Sequence, residues 1–413
     1  MKYFLLFVLM NTCFSAQQNV FLSSQESQKN YFIETKKWFD GTLMTDGKVD
    51  GYIYKKNGSN YYVLDSYHNG SSVNAKFFGV KADGVTDDTK NLQKALDLAI
   101  KYGLTLVLPY GTIITTQDLI IDASSSKGKM RVLGSGMSNT VIKNIGNNTT
   151  NAIKITGNYF NNLELKDFRL ERELSTPNPT GNIGLYIEKQ VYASLENIEV
   201  IRFKSGIVMN DVSTLYMKRV HARFCGQGFH FARGINGASN PNLIEIHSCV
   251  LASNSEWGIT FVNGHSVNIY SSLFEDNTLG GINFSYDGTN GSNSINLNGS
   301  YFEGNRGIDF YLKSSAGGTH NIIGNTFNRV DASKYTTNSI VFETVDQNSM
   351  QSENSLNMIG NGFFSANSYR AESSKKAVLI KSKNYKLINV FDSNIYYNKI
   401  ETPAYHKEIN LKN

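Results

Sequence analysis

The sequence has little proline, little cysteine and no long apolar run. It contains 5 Pro and 3 Cys among 413 residues. Three cysteines cannot build the disulfide framework of a small secreted domain, so we expect Cys225 and Cys249 to be free, buried thiols. No apolar run reaches the roughly 18 residues that a membrane-spanning helix needs. The net charge of +5 is too small for the basic footprint of a nucleic-acid-binding protein.

The composition that remains is that of a folded chain. Hydrophobic residues make up 40% and charged residues 18%, which excludes an intrinsically disordered protein. With 35 Gly, the chain is also far from a collagen-like composition. Its length allows one large or two medium domains with a sizeable core.

The first residues have the pattern of a secretory signal peptide. Lys2 gives a charged start, residues 3–10 form a short apolar stretch, and Ser15 and Ala16 are small residues at a cleavage position. We therefore expect residues 1–16 to be removed and the protein to be secreted, periplasmic or on a bacterial cell surface. A lipid on Cys13 is one alternative, although the preceding residues fit a lipobox poorly, and an apolar N-terminal strand is the other.

Residues 17–73 are predicted to form a small β-rich region. Two runs that alternate apolar and polar residues, 52–54 and 61–63, flank Asn57 and Gly58, which is typical of a β-hairpin. Further along, Asp87 or Asp88 is placed to cap a helix and Gly103 to end it. Between them the apolar residues recur at helical spacing: Leu92, Ala95, Leu96, Ala99 and Ile100.

The residues around this helix resemble the start of the pectate-lyase-like superfamily. The string FGVKADGVTDDT at 78–89 and the LVLPYGT segment at 106–112 are similar to the opening of rhamnogalacturonase- and epimerase-like proteins and phage tailspikes. The resemblance implies an all-β fold over residues 74–400, a single-stranded right-handed parallel β-helix with a short N-terminal capping helix. Residues 401–413 would be a C-terminal tail. It also implies that Asp83, Asp87 and Asp88 are structural, because this motif builds the cap.

The body of the chain repeats, independently of that resemblance. Glycines that precede apolar pairs recur every 22–30 residues, a period typical of a solenoid: Gly184, Gly206, Gly228, Gly258, Gly281 and Gly307. Between them, short segments with apolar ends can bury their apolar side only if copies stack at about 4.8 Å. Asn254, Asn277 and Asn305 each follow such a segment by three residues, which predicts an asparagine ladder at one turn.

The first candidate site is a patch of solvent-facing residues on successive coils. Its members alternate with apolar positions: Tyr216, Lys218, Glu245, His247 and Tyr270. A carboxylate, an imidazole, an amine and phenols suit proton transfer on a sugar. The longest spacing between the repeated glycines, from Gly228 to Gly258, includes Arg233. We expect its extra residues to form one wall of a binding cleft. The alternative interpretation is a solvated polar face.

The second candidate site is a stack of carboxylates at one turn. Glu275 and Asp276 are followed one coil later by Glu303, and the two Glu would lie about 5 Å apart, a separation that suits a retaining glycosidase. The alternative is that Glu is the consensus residue of a repeated turn.

We expect a polysaccharide-degrading enzyme that acts on an extracellular or cell-surface glycan. In a hydrolase, Glu245 or Glu275 would be the acid and Glu303 or Asp276 its partner. In a lyase, Lys218, His247 or Tyr270 would take the proton next to a uronate carboxylate, and Arg223 or Arg233 would neutralise that carboxylate, with Tyr216 as a further substrate-binding residue. The other function is a non-catalytic, adhesin-like or tailspike-like rod.

No cofactor or metal is expected, with calcium to be considered only for a lyase, because Asp residues beyond the cap motif are scattered. The expected partner is a polysaccharide. A monomer is favoured, with a homotrimer as the alternative.

Overall fold

A computed structural model describes the following residues: 20–25, 28–124, 130–159, 162–173, 180–234, 239–288, 291–314, 317–329, 338–344, 354–365, 377–382, 388–397 and 408–411. The predicted signal peptide, residues 1–16, therefore lies outside the described residues. So does most of the predicted tail, in which Glu408–Leu411 forms a final strand.

A four-stranded antiparallel sheet comes first, in the segment predicted to be β-rich. Its strands are β1 (Val20–Gln25), β2 (Gln28–Glu34), β3 (Tyr54–Asn57) and β4 (Asn60–Leu64), in the order β1-β2-β4-β3. β3 and β4 form the predicted hairpin, which closes at the pair Asn57 and Asn60. Gly58 supplies the positive φ (60°) that such a tight turn requires.

The described residues 46–102 contain two α-helices and two 3-10 helices, which lie around the first coil of the β-helix. Helix α1 covers Asp65–Gly70, helix α2 covers Thr89–Tyr102, and the 3-10 turns are Asp46–Lys48 and Ala75–Phe78. Helix α2 is the predicted capping helix and ends at Gly103, whose φ is +63°. Asp88 does not cap it: its carboxylate accepts the backbone N–H groups of Lys81 and Ala82 instead. Asp87 accepts the N–H of Thr89.

The rest of the described chain is a right-handed parallel β-helix, as the sequence predicted. Each coil contributes a strand to sheet A, then sheet B, then sheet C, and each strand pairs with its counterpart one coil away. Sheet A contains β5 (Ser72–Asn74), β7 (Thr105–Val107), β10 (Met130–Leu133), β17 (Asn242–His247), β20 (His265–Tyr270), β23 (Asn293–Asn298) and β26 (Gly318–Ile323). Sheet B contains β6 (Asp83–Asp87), β8 (Gly111–Thr115), β11 (Thr140–Asn144), β18 (Val250–Ala252), β21 (Leu273–Glu275), β24 (Tyr301–Glu303) and β27 (Thr326–Arg329).

Sheet C and the long strands complete the coil. Sheet C contains β9 (Leu119–Asp122), β12 (Ile153–Thr156), β16 (Gln227–Ala232), β19 (Trp257–Val262), β22 (Gly280–Ser285), β25 (Ile308–Ser314), β28 (Ile340–Thr344), β30 (Val378–Ser382) and β32 (Glu408–Leu411). Five longer strands turn corners and belong to more than one sheet: β13 (Leu163–Arg172), β14 (Thr180–Ile201), β15 (Phe203–Arg223), β29 (Asn354–Ser365) and β31 (Ile388–Tyr397).

Aromatic side chains fill the inside of the coil in register. On sheet B, Phe274, Phe302 and Phe327 are fully buried and stack with ring centroids 4.7 and 4.8 Å apart. These distances match the spacing of neighbouring strands, because identical residues occupy identical positions in successive coils. Each fully buried ring contributes on the order of 2 kcal/mol from burial.

Steric crowding between successive coils explains why glycine recurs at these positions. They lie one above another, and a Cβ added to Gly206 or Gly258 would stand 2.8 or 2.7 Å from the carbonyl oxygen of the glycine one coil further on. Such a contact leaves no room for a side chain. Gly307 is not part of this stack, contrary to the repeat prediction, since Gly281 pairs in the next coil with the buried Asp309.

Buried asparagines form the predicted ladder. The Asn254 Nδ2 donates to Asn277 Oδ1 (2.8 Å), and the Asn277 Nδ2 donates to Asn305 Oδ1 (2.9 Å). A second ladder at the corner between sheets A and B was not predicted. There, Asn325 Nδ2 donates to Asn361 Oδ1 (2.8 Å) and Asn361 Nδ2 to Asn394 Oδ1 (2.7 Å). Cys225 and Cys249 are both buried and free, as predicted.

Candidate functional site

Three adjacent strands of sheet A place the first predicted site on one surface. In the parallel register, Tyr216 lies beside Glu245, Lys218 beside His247, and His247 beside Tyr270. The apolar residues between them, such as Ile244 and Ile246, point into the core and are fully buried. Because side chains alternate along a strand, all five predicted residues share the outer face. We call these five residues the sheet A patch.

The imidazole of His247 is the centre of the patch. Its ring stacks on Tyr270 (centroids 4.8 Å apart, 25° between planes) and lies 5.3 Å from the ring of Tyr216. His247 Nε2 is 3.3 Å from Glu245 Oε2. The side chains of His247 and Glu245 retain 30% and 45% of their exposure, so a ligand can reach both. An imidazole beside a carboxylate is an arrangement that can accept and return a proton during a reaction.

Lys218 adds a positive charge to the patch. It is exposed and occupies the register position next to His247 on the preceding strand. An ammonium group here can attract a carboxylate of an acidic sugar.

A ladder of amides continues the patch along the rod. Asn296 donates to Asn268 (2.7 Å), Asn321 to Asn296 (2.6 Å) and Asn357 to Asn321 (2.8 Å), all on the outer face of sheet A. Asn268 stands beside Glu245 in the register, so the ladder starts at the patch. Asn268 and Asn296 each follow a buried residue, Val267 and Ile295, so alternation along the strand directs them outward, but their ladder was not predicted. A search for Asn at the same position of each coil could have found it.

The carboxylates of the second predicted site lie on sheet B. Glu275 and Glu303 are register partners on adjacent strands, which are about 4.8 Å apart. Burial, and then the nearby charges of Asp276 and Glu303, raise the pKa of Glu275 above its usual range. Asp276 is exposed at the corner that follows, and Glu303 accepts a hydrogen bond from Asn328 (3.3 Å).

The two predicted sites are on different sheets. Glu245 is on the outer face of sheet A, whereas Glu275 and Glu303 are on the outer face of sheet B. A mechanism therefore uses either the sheet A patch or the sheet B carboxylates, and Glu245 does not pair with Glu303.

Arg223 is on sheet B and is bound to a buried carboxylate. Its Nε donates to Glu199 Oε1 (2.9 Å), and Arg169 Nε lies 2.6 Å from Glu199 Oε2. The Glu199 side chain is 5% exposed, so the two guanidinium groups compensate its charge. This ionic cluster was not predicted, since its members are about 24 to 30 residues apart and meet only through coil stacking.

Arg233 is not part of the sheet A patch in the described structure. It follows β16 of sheet C, is half-buried, and begins the connection that leads into β17. Phe229 and Phe231, which precede Arg233 in this coil, are fully buried in the core of sheet C.

The described residues contain neither a cluster of metal ligands nor a membrane-spanning helix. In the described ranges, no group of three or more His, Cys, Asp or Glu is arranged to hold a metal ion. In the same part of the chain, no helix has the length and apolar character needed to cross a membrane.

The sequence matches a known protein family over about half of its length. Residues 72–283, just over half of the chain, match the family model described as rhamnogalacturonase A/epimerase, pectate lyase-like. The chain belongs to this family. The matched segment contains the whole sheet A patch together with Glu275 and Asp276, whereas Glu303 lies beyond it. Membership in the pectate lyase-like family gives the protein a carbohydrate-related role at the level of the family.

Solved structures share the fold at low sequence identity. The A-module of mannuronan C-5 epimerase AlgE4 from Azotobacter vinelandii is 17% identical, with a TM-score of 0.55 over 82% of this chain and 97% of that one. PfbA, a surface adhesin of Streptococcus pneumoniae, is 12% identical, with a TM-score of 0.56 over 82% and 93%. The Dettilon tailspike protein is 16% identical, with a TM-score of 0.50 over 81% and 70%. No curated protein matches the sequence.

Proposed function

We propose that this protein is an exported enzyme that degrades an acidic polysaccharide at the sheet A patch by β-elimination. The observation that carries the proposal is the imidazole of His247, stacked on Tyr270, close to Tyr216 and hydrogen-bonded to Glu245. The family provides the class of substrate, since its description names a rhamnogalacturonase and an epimerase.

The residues of the patch suit the steps of an elimination. His247 takes the proton from the sugar carbon next to the uronate carboxylate, and Lys218 stabilises the negative charge that develops. The bond from the adjacent ring carbon to the glycosidic oxygen then breaks, which leaves a carbon–carbon double bond in the ring. The leaving oxygen takes up a proton. Glu245 orients the imidazole and stabilises its protonated form.

The test is a panel of acidic and neutral polysaccharides incubated with the protein. We expect new reducing ends together with ultraviolet absorbance from the unsaturated product, on an acidic glycan only. His247→Ala should lower kcat at least a hundredfold, because acid–base groups contribute factors of about 10² to 10⁴. His221→Ala is the matched control, since His221 is a half-buried histidine on sheet B. Full activity of the His247→Ala variant would refute the proposal.

A second candidate reaction is hydrolysis by the sheet B carboxylates. Its support is the raised pKa of Glu275, which suits a general acid, and the neighbouring Glu303. Carboxyl groups about 5 Å apart favour a retaining mechanism. In this case the panel gives reducing ends without absorbance, Glu275→Gln abolishes activity and His247→Ala does not.

The third candidate is a binding rod without catalysis, and PfbA, an adhesin, shares its fold. Binding to a glycan without any product would favour it. We also propose that the protein is a monomer without a required metal. Light scattering of the purified protein and activity after chelation of calcium test these two proposals.

A further inference from the structure

A concave site lies at the N-terminal end of the rod. It encloses about 300 Å³ where the antiparallel sheet, helix α1 and the end of helix α2 meet. This volume is at the lower limit of ligand pockets, which measure about 300–1,000 Å³. Five of the eleven residues that line the pocket are aromatic: Trp38, Phe39, Tyr54, Tyr67 and Tyr102.

Several aromatic rings of the pocket pack edge to face against one another. Tyr102 is buried at the centre, 5.2 Å from Phe39 at 83° and 5.7 Å from Tyr67. Phe39 is also 4.4 Å from Trp38, yet it keeps 45% of its surface exposed. A large apolar ring fixed in this way offers a preformed surface at small entropic cost to a ligand with an apolar face.

Lysines outnumber carboxylates around the pocket. Lys37 is exposed and lines the wall. The ammonium groups of Lys48 and Lys101 lie 5.1 and 5.7 Å from the ring of Trp38. Two carboxylates are nearby: Asp40 is exposed and accepts hydrogen bonds from Thr42, and Asp50 accepts the hydroxyl of Tyr102 (2.5 Å) and three backbone N–H groups. Three ammonium groups against two carboxylates favour a ligand that has an apolar face and a negative charge.

We propose that this pocket binds one acidic sugar residue of a polysaccharide, as a site separate from the sheet A patch. A uronate ring combines an apolar face, which fits the aromatic lining, with a carboxylate, which fits Lys37. The class of ligand rests on the proposed function, but the location does not. In sheet A, β7 follows Gly103 of the pocket, and the part of β15 that carries Tyr216 belongs to the patch. Four successive strand pairings separate β7 from that part of β15. The two sites are therefore roughly 20 Å apart along the rod.

Fluorescence of Trp38 tests the pocket directly. The chain has 2 Trp, so in a Trp257→Phe background only Trp38 reports. The probes are galacturonate and mannuronate oligosaccharides of two to four units, with malto-oligosaccharides of the same lengths as neutral probes. We expect a saturable change in emission with an acidic probe, and at least fivefold weaker binding in Phe39→Ala and in Lys37→Gln. Lys37 is exposed, so the latter variant does not threaten folding.

Two controls separate this site from the sheet A patch. Leu43→Ala removes an exposed apolar residue of the same region that does not line the pocket, and should leave the affinity unchanged. His247→Ala should also leave it unchanged. Absence of any Trp38 response, an unchanged affinity in both pocket variants, or equal binding of neutral probes would overturn the proposal. Products from the polysaccharide panel without a Trp38 response would contradict the pocket alone, whereas a response without products would contradict only the proposed reaction.

Discussion

Replacement of Asn277 by alanine tests what holds the coils in register. Asn277 has no exposed surface, and its side chain makes four hydrogen bonds. Its Nδ2 donates to Leu251 O (2.8 Å) and Asn305 Oδ1 (2.9 Å). Its Oδ1 accepts from the backbone N (3.3 Å) and the Nδ2 (2.8 Å) of Asn254. Alanine removes all four bonds and leaves their partners buried.

The expected loss of unfolding free energy follows from the number of hydrogen bonds that are removed. At a net contribution of about 1 kcal/mol for each hydrogen bond, Asn277→Ala should lower the free energy of unfolding by about 4 kcal/mol. Domains are typically stable by about 5–15 kcal/mol, so the effect is large. The matched control is Asn296→Ala in the outer ladder. Asn296 makes two such bonds and is half-buried, so water replaces them and the loss should stay below about 1 kcal/mol.

Equilibrium urea unfolding, followed by far-ultraviolet circular dichroism, measures both variants. Hydrogen exchange at the Asn254 amide shows whether the loss is local, since a rod of stacked coils can open in part. Equal losses in Asn277→Ala and Asn296→Ala would refute the reasoning, because burial would then not decide the contribution of an asparagine ladder.

Three other predictions concern packing, pH and thiol chemistry. Gly258→Ala should lower the free energy of unfolding, measured by urea titration, by more than about 2 kcal/mol, because the new Cβ would stand 2.7 Å from a carbonyl oxygen. Gly47 has open space around it, so Gly47→Ala should lower this free energy only slightly. Burial lowers the pKa of His320 from 6.5 to about 4, so the folded state keeps the imidazole neutral while the unfolded state binds a proton. Unfolding free energy should therefore fall by on the order of 3 kcal/mol as the pH drops from 6.5 to 4, and His320→Leu should remove that slope. Burial raises the pKa of both cysteine thiols to about 12, so iodoacetamide at pH 8 should label them only in denatured protein.

Local patterns in the sequence were sufficient for the architecture. Helix α2 has one apolar face and ends at a glycine, and both features depend on neighbouring residues alone. The coil repeat was recognisable because equivalent positions of successive coils pack in the same environment and form the same turn, so similar residues recur there. Asn254 and Asn277 therefore recur at equal positions and were correctly predicted to form a ladder. The sheet A patch could be anticipated for the same reason, since alternation along a strand fixes which residues face outward.

Contacts between residues of irregular spacing were not predictable. Glu199 meets Arg169 and Arg223 because insertions of different length are absorbed at the corners, so distance along the chain does not measure the coil rise. The aromatic pocket combines the antiparallel sheet with the end of helix α2, and no repeat pattern relates Phe39 to Tyr102.

Periodicity and local turn chemistry were enough to predict the β-helix, its cap and the outward direction of His247 and Glu245. The folded arrangement was needed to show that Glu245 and Glu275 lie on different sheets, that Arg223 is bound to Glu199, and that His247 stacks on Tyr270. The physical reason is that coil stacking brings together side chains about 23 to 30 residues apart, and the register that aligns them is set by packing of the whole rod.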